Sequence, residues 1–307
     1  MNTLKRIMVG LDLSEMDDTL IRYAAFLCTL IPIEKVYFIH VERSLDLPQE
    51  LMQDLQRSGL PVDESLCQML EAKVLPYFEQ MPQVKAEVQV AEGDPLRTLL
   101  HWDKVKQIDV VLVGRKLRLR GSGVLSQKLL RTGKESVLFV PENAEPVMRR
   151  IVVSIDFSEY SMMALDHVLH SVVNTPGIEI ICLHLYQVPT GYITLGIPHD
   201  EFEERMKGFA YEKFDRVLEQ FPELGSRACL KLVKEESGSD IGEQIVLEAK
   251  RARADMLAIG AKGKTAAALF VIGSVTEKIL RYDSDIPLLV FKKEEEQLGL
   301  IDAIIGA

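Results

Sequence analysis

The two halves of this chain are copies of one another. Residue 151 corresponds to residue 7, an offset of 144, and further matches follow in the same order along the chain. The matching segments are 7–15 with 151–159, 36–41 with 180–185, Gly93 with Gly238, 109–114 with 255–260, and 136–140 with 286–290. An ordered series of matches indicates two copies of one structural unit. The length of 307 residues also favours two domains of ordinary size.

A short polar segment bracketed by prolines, 141–146, separates the two copies and is typical of a linker. We therefore predict one domain over 1–143, a second over 148–294, and a C-terminal tail over 295–307. The tail is rich in Leu, Ile and Ala, so it needs burial against its own chain or a partner. A terminal helix docked on its own chain is the favoured interpretation.

Short apolar segments alternate with amphipathic segments in each copy. In the first copy they predict five strands, near 6–11, 35–41, 84–90, 109–113 and 136–140. Helices are predicted after Ser14-Glu15 and over 51–78, with a break at 59–61, and over 200–220 after an irregular segment at 189–199. The first helix has an apolar face formed by Leu20, Ala24, Leu27 and Cys28. This alternation predicts an α/β fold with two tandem five-stranded parallel open sheets.

Composition excludes several classes of function. A net charge of −10 argues against a general nucleic-acid binder, whose affinity would depend on neutralising phosphates. No apolar run approaches the roughly 20 residues that span a bilayer, and no signal peptide is visible, so a cytoplasmic protein is expected. The four cysteines form no C-x-x-C pair, which favours reduced core thiols over a zinc site at Cys182 and His184.

One stretch of the second copy carries a recognisable chemistry. The apolar run 256–259 is followed by Gly260-Ala261-Lys262-Gly263, then nine residues, then Gly273-Ser274 and a helical pattern to Arg281. Glycines allow backbone N–H groups to approach a ligand closely, and the unpaired N–H groups at a helix N-terminus attract anions. Lys262 and Lys264 add positive charge. The pattern therefore favours a phosphate site, although a plain strand-to-helix connection would also explain the glycines.

The spacing G-x2-G-x9-G-S resembles the nucleotide loop of the universal stress proteins that bind ATP. Together with the strand–Asp opening at Asp156 and the His184-Leu185 pair, it makes the chain similar to the two-domain, E-type members from bacteria. The resemblance implies a Rossmann-like fold of the adenine nucleotide alpha-hydrolase type, and ATP, with or without Mg, held by the second domain. It implies the following binding residues: Asp156, Leu185, Gly260, Lys262, Gly263, Gly273, Ser274, Val275 and Thr276.

The resemblance also implies roles and partners. Asp156 and Leu185 would bind the adenosine end, Leu185 through its backbone, although Asp156 could simply cap the helix that follows it. His184, like His40, is interpreted as a core or supporting residue. The family pairs its last strands, here 137–140 and 288–290, so the copies are expected to form a pseudo-dimer, and a homodimer is possible. No catalytic residue is assigned, and hydrolysis of ATP would be slow at most.

The first copy departs from this pattern. Gly114 and Gly123 are retained, but Leu117 stands at the second glycine and Val124 at the serine. The loop is also shorter, with 9 positions from Gly114 to Gly123 against 13 from Gly260 to Gly273. We expect weak ATP binding or none in this copy. Its basic residues form either a solvated loop or a residual site for another anion, and they are Arg115, Lys116, Arg118 and Arg120.

Two other functions remain open from the sequence. Residues 260–265 end like the P-loop signature G-x4-G-K-[ST], which would make Lys264 essential, but Ala258 stands where the first glycine is required. Alternatively, the glycines are ordinary turns and the chain is an interaction module without a ligand. Nucleotide bound to the purified protein would separate this last function from the others.

Overall fold

The computed structural model describes residues 4–45, 61–117, 123–236, 238–263, 272–282 and 284–293. The chain divides into two compact units at the junction of Pro146 and Val147. We call residues 1–146 unit 1 and residues 147–307 unit 2, and each is described by itself.

Unit 1 alternates strands with helices. Its strands are β1 (Arg6–Leu11), β2 (Lys35–Glu42), β3 (Lys85–Glu92), β4 (Val110–Arg115) and β5 (Ser136–Pro141). Its helices within the described residues are α1 (Met16–Leu30), α2 (Val62–Val74), α3 (Pro95–Lys106) and α4 (Val124–Thr132). All five predicted strands of the first copy are present, with ends shifted by at most two residues. The predicted helical segment at 51–60 lies outside the described residues.

Unit 2 repeats this order. Its strands are β6 (Arg150–Ser154), β7 (Glu179–Tyr186), β8 (Ala228–Lys234), β9 (Met256–Gly260) and β10 (Leu288–Phe291). Its described helices are α5 (Glu159–Val172), α6 (Gly191–Leu195), α7 (His199–Gln220), α8 (Ile241–Arg251) and α9 (Ser274–Arg281). The helix predicted over 200–220 is confirmed as α7. Part of the segment expected to be irregular instead forms α6, which ends at Gly196 in the left-handed conformation (φ 65°).

Each unit contains a five-stranded parallel sheet. The strand order is β3-β2-β1-β4-β5 in unit 1 and β8-β7-β6-β9-β10 in unit 2. The predicted α/β class and parallel open sheets are therefore confirmed. The strand order reverses direction beside β1 and beside β6. In open parallel sheets, the crevice at such a reversal, beyond the carboxyl ends of the strands, is where ligands bind.

The central strands are apolar along their whole length because helices cover both faces of a parallel sheet. Val152, Val153 and Ala258 are at most 1% exposed in unit 2. The predicted apolar face of α1 is buried at all four positions, namely Leu20, Ala24, Leu27 and Cys28. Within the described parts of the chain, no helix is both long and apolar enough to cross a membrane.

Candidate functional site

A cavity of about 960 Å³ lies at the carboxyl ends of β6, β7 and β9 in unit 2. We call it the unit 2 cavity. The structure brings all nine predicted binding residues to its wall: Asp156, Leu185, Gly260, Lys262, Gly263, Gly273, Ser274, Val275 and Thr276. They come from four separate segments of the chain, and only the parallel sheet places those segments side by side. A cavity of this size has the dimensions of a small-molecule site.

The glycines of the loop after β9 are required by close packing. A Cβ atom at Gly260 would lie 2.8 Å from the backbone carbonyl of Tyr160, and one at Gly263 would lie 2.8 Å from Oδ2 of Asp156. Non-bonded Cβ contacts as short as these do not occur without a shift of the neighbouring atoms. The loop closes further through a hydrogen bond from Gly273 N–H to the Ala261 carbonyl (2.8 Å). The glycines therefore bring the main chain against the carboxylate of Asp156.

Helix α9 points its N-terminus into the unit 2 cavity. Its predicted extent, Ser274 to Arg281, is confirmed, but Gly273 occupies the N-cap position and no side-chain cap is formed. Ser274 is the first helical residue and is exposed. Its hydroxyl makes no capping hydrogen bond. Thr276 is buried, and its hydroxyl donates to the carbonyls of Gly260 (3.3 Å) and Ala261 (3.2 Å). Thr276 thus braces the loop, while Ser274 faces the cavity.

Asp156 holds the turn between β6 and α5 while its carboxylate lines the unit 2 cavity. Its Oδ1 accepts hydrogen bonds from the N–H of Ser158 (2.9 Å) and from the Ser158 hydroxyl (2.5 Å). Ser158, not Asp156, is the N-cap of α5 and accepts from Ser161 N–H. The interpretation of Asp156 as the helix cap is therefore wrong, because the chain needs two more residues to turn from the strand. Oδ2 points toward Gly263.

His184 supports the strand ends beneath the cavity. Its Nδ1–H donates to the Ile155 carbonyl (2.8 Å), and its ring lies 4.7 Å from the ring of Phe157. His40 makes the corresponding bond to the Leu11 carbonyl (3.1 Å) in unit 1. Both histidines therefore join the second strand to the end of the first, as expected for supporting residues. Leu185, which follows His184, lies on the cavity wall.

Lys262 places a buried positive charge in the wall of the unit 2 cavity. This lysine is only 8% exposed, and burial lowers the pKa of its ammonium group. The ammonium lies 5.8 Å from the centre of the Tyr160 ring. A poorly solvated cation gains more from an anionic ligand than an exposed one does, because less water competes. Lys264, the other predicted cation of the loop, lies outside the described residues.

One wall of the cavity was not predicted from the sequence. Helix α7 supplies Met206, Phe209, Ala210 and Lys213 to the lining, at the spacing i, i+3, i+4, i+7 that marks one helical face. The same spacing is visible in the sequence and could have identified the face. The spacing alone could not have shown that this face of the helix packs over the cavity and not over the sheet.

A polar network anchors α7 above β7 and β8. The Tyr186 hydroxyl donates to Glu203 (2.7 Å), and the Lys234 ammonium donates to the other carboxylate oxygen (2.5 Å). The hydrogen bonds from Lys234 and Tyr186 hold the pKa of Glu203 down at about 2. Burial and the bond to Glu203 raise the pKa of Tyr186 to about 12. At neutral pH the carboxylate is therefore ionised and the phenol is protonated, which is the state that the network requires.

Replacing Glu203 with glutamine is expected to loosen the first three turns of α7. A lowered carboxyl pKa contributes stability that is present above the ordinary value of 4.5 and is lost as the pH falls toward 2. Lowering the pH of the wild type from 4.5 toward 2 is therefore expected to loosen the same part of α7. Hydrogen exchange of residues 199–213 would measure it, and Glu204→Gln, on the exposed side of the same turn, is the control. Equal exchange in Glu203→Gln and wild type would contradict the anchoring role.

The corresponding loop of unit 1 is engaged by the chain's own carboxylates. The N–H of Leu117, at the position of Gly263, donates to Oε2 of Glu142 (3.2 Å), and Lys116 forms an ion pair with Asp12. Burial raises the pKa of Asp12, but the contacts with Lys116 and Ser14 outweigh it and hold the pKa below its ordinary value. Arg118 and Arg120 lie outside the described residues. Protein carboxylates thus stand beside the groups that would otherwise attract an external anion.

Two of the four cysteines are packing residues, whereas Cys67 is half-buried and Cys229 is exposed, so the expectation of core thiols is wrong for Cys229. Cys28 and Cys182 are buried, and burial raises the pKa of both thiols to about 12. Such thiols remain protonated and unreactive at neutral pH. Among the described residues, no group of three or more His, Cys, Asp or Glu side chains is arranged to hold a metal ion.

Solved structures with the same fold cover nearly the whole chain. A universal stress protein from Archaeoglobus fulgidus aligns with a TM-score of 0.63 and 17% identity, over 94% of this chain and 98% of that one. A protein of unknown function from Pseudomonas aeruginosa aligns with a TM-score of 0.62 and 14% identity, over 95% and 94%. At these identities the likeness shows the fold alone.

Sequence comparison identifies the family. A universal stress protein of Methanocaldococcus jannaschii is 23% identical over 155 residues, which are 50% of this chain and 88% of that protein. The model of the universal stress protein family matches the chain twice, over residues 3–141 and 148–292. Each match contains one of the two parallel sheets described above. The chain therefore belongs to the universal stress protein family and contains two tandem copies of its unit.

Proposed function

We propose that unit 2 binds ATP and that this chain is a nucleotide-responsive regulatory protein. The observation that carries the proposal is the approach of the loop after β9 to Asp156, in which Gly263 leaves no room for a side chain. Glycine backbone, a helix N-terminus and the free face of Ser274 meet at one wall of the cavity. This combination is suited to a polyphosphate, whose charge the helix dipole and Lys262 would stabilise.

The cavity also has an apolar lining that suits an adenosine group. Leu185 lies at the carboxyl end of β7, and Ile241 and Ile245 of α8 add apolar surface. A planar base favours such apolar walls, with backbone groups providing the hydrogen bonds that select it. ATP is therefore the ligand class that uses both the polar and the apolar lining of the cavity.

A binding role is favoured over catalysis. Asp156 is the carboxylate nearest to the glycine loop, and its Oδ1 is already occupied by Ser158. A general base needs a lone pair directed at the attacking water, and Oδ2 of Asp156 faces the loop backbone at Gly263 instead. Mg²⁺ would be held chiefly by the phosphates and would supply charge neutralisation, with Asp156 Oδ2 as the neighbouring protein oxygen. We infer that turnover is slow and that the two domains, 1–143 and 148–294, respond to binding instead.

The nucleotide content of the purified protein tests this proposal. We expect about one ATP per chain after denaturation and chromatography, since the groups that would hold phosphate in unit 1 are engaged by its own carboxylates. Ser274→Val, which copies Val124 of unit 1, is expected to lower the ATP affinity about tenfold through the lost hydroxyl contact. Val124→Ser is the matched control and is expected to leave the stoichiometry unchanged.

Three outcomes would count against the proposal. Absence of nucleotide, both in the purified protein and after addition of ATP with Mg²⁺, would favour an interaction module without a ligand. About two ATP per chain would show that unit 1 also binds. Rapid release of ADP and phosphate would indicate an enzyme of the P-loop kind, in which Lys264 is essential.

A further inference from the structure

Helix α7 brings a cation to the unit 2 cavity that the glycine loop does not contain. Lys213 lies on the same face as Met206, Phe209 and Ala210, one helical turn beyond Ala210. Side chains on a helix incline toward its N-terminus, which for α7 is the end at the carboxyl edge of the sheet. The stem of Lys213 therefore extends toward the carboxyl ends of the strands, where the cavity lies.

A contact with the aromatic ring of Phe157 places Lys213 next to the turn that contains Asp156. Its ammonium group lies 5.7 Å from the centre of the Phe157 ring, and Phe157 directly follows Asp156. Phe157 is held in the left-handed conformation (φ 59°) and against the ring of His184 (4.7 Å). The aromatic surface on which Lys213 rests is thus fixed by the backbone of the turn that lines the site.

The charges around the cavity leave Lys213 available to an anion. The lining carboxylates are Asp156, which is bonded by Ser158, and Glu235, which is bonded by the Gln187 amide (2.7 Å). Within the described parts of the chain, no carboxylate lies within ion-pair distance of Lys213. Lys262 is the other lysine in the cavity lining, and it belongs to the loop after β9.

We propose that Lys213 binds a phosphate group of the nucleotide and makes unit 2 selective for nucleotides over nucleosides. The inference rests on the proposed function, and it adds a residue from α7 that the loop motif does not contain. Lys213 and Lys262 would contact the polyphosphate from two sides, while the glycine loop and α9 hold it by backbone N–H groups.

Titration calorimetry of the full chain with ATP and with adenosine tests the inference. Lys213→Ala is expected to weaken ATP binding about tenfold, the value of one charge-assisted hydrogen bond, and to change adenosine binding less than about twofold. Lys213→Arg is expected to restore most of the ATP affinity because the charge is kept. Arg216→Ala removes the same charge from an exposed position of α7 outside the cavity lining, so it is the matched control.

The possible failures are distinguishable. If wild type binds ATP and Lys213→Ala binds it equally well, Lys213 is not a ligand and the inference is overturned while the proposed function stands. An equal loss for ATP and adenosine would also overturn it, since that result shows disturbance of the wall and not loss of a phosphate contact. A wild type that binds neither ligand would overturn both proposals.

Discussion

Replacing Gly263 with alanine is expected to lower the affinity of unit 2 for ATP by at least about a hundredfold. A Cβ atom at this position would lie 2.8 Å from Oδ2 of Asp156, so either the Asp156 carboxylate or the loop after β9 has to shift; because Oδ1 is held by Ser158, we expect the loop to move away from the cavity. Withdrawal moves backbone N–H groups out of reach of the phosphates. Two charge-assisted hydrogen bonds of about 1.5 kcal/mol each correspond to roughly a hundredfold in affinity.

The control for this variant is Gly208→Ala. Gly208 lies in the middle of α7, and a Cβ atom there meets no atom within 4 Å. Alanine in a helix interior is more favourable than glycine by about 1 kcal/mol, so this variant is expected to be slightly more stable and to bind ATP normally. Calorimetry measures the affinity, and thermal unfolding checks that both variants are folded. Unchanged ATP affinity in Gly263→Ala would contradict the role given to the glycine loop.

Restoring the glycine in unit 1 is not expected to create a second site. Leu117→Gly removes the side chain that replaces Gly263, but the N–H of residue 117 still faces Glu142 at 3.2 Å. Lys116 also remains paired with Asp12. A second ATP per chain in Leu117→Gly alone would show that the side chain, and not the neighbouring carboxylates, excludes the nucleotide.

Replacing Asp17 with alanine is expected to destabilise unit 1 by about 3 kcal/mol. Asp17 is fully buried, and its two oxygens accept hydrogen bonds from the N–H of Asp12 (3.0 Å) and of Leu13 (2.9 Å). These bonds hold the turn after β1, where Leu13 takes the left-handed conformation (φ 60°). Alanine removes the charged acceptor of two backbone donors, and a hydrogen bond to a charged group contributes about 1.5 kcal/mol or more.

Two further variants identify the source of this effect. Asp18→Ala removes a neighbouring carboxylate whose side chain is 70% exposed, and its effect is expected to stay within about 0.5 kcal/mol. Ser161 occupies the position of Asp17 in unit 2 and accepts one longer bond, from Asp156 N–H at 3.3 Å, so Ser161→Ala is expected to cost only about 1 kcal/mol. Denaturant unfolding measures all three, and equal stabilities of Asp17→Ala and wild type would contradict the assignment.

The elements that follow from local pattern were predictable from the sequence. The alternation of apolar and amphipathic segments predicted the order of strands and helices, and the helical pattern after Gly273 predicted the extent of α9 to the residue. The carboxyl ends of parallel strands lie at one edge of the sheet, which explains why the residues that the family resemblance implied, among them Asp156, Leu185 and Gly260, line one cavity.

The remaining features depend on contacts between segments distant in sequence. Leu117 and Glu142 are 25 residues apart in the sequence, and no local pattern around either residue indicates that they form a hydrogen bond. Likewise, α7 covers the cavity because Glu203 is held by Tyr186 and Lys234, which lie on two different strands. Lys213 owes its position to that anchoring, so periodicity identifies its helical face without indicating what the face contacts.

In unit 1, the carboxylates of Glu142 and Asp12 occupy the place of an anionic ligand. Glu142 accepts a hydrogen bond from the N–H of Leu117, and Asp12 pairs with Lys116. We expect the folding free energy of such a unit to be insensitive to the ATP concentration. Unit 2, by contrast, gains RT ln(1 + [ATP]/Kd) from the ligand that we propose for it. On this proposal, the stability of one half is fixed, whereas the stability of the other follows the energy supply of the cell. Starvation would then lower the free energy of unfolding of unit 2 and leave that of unit 1 unchanged.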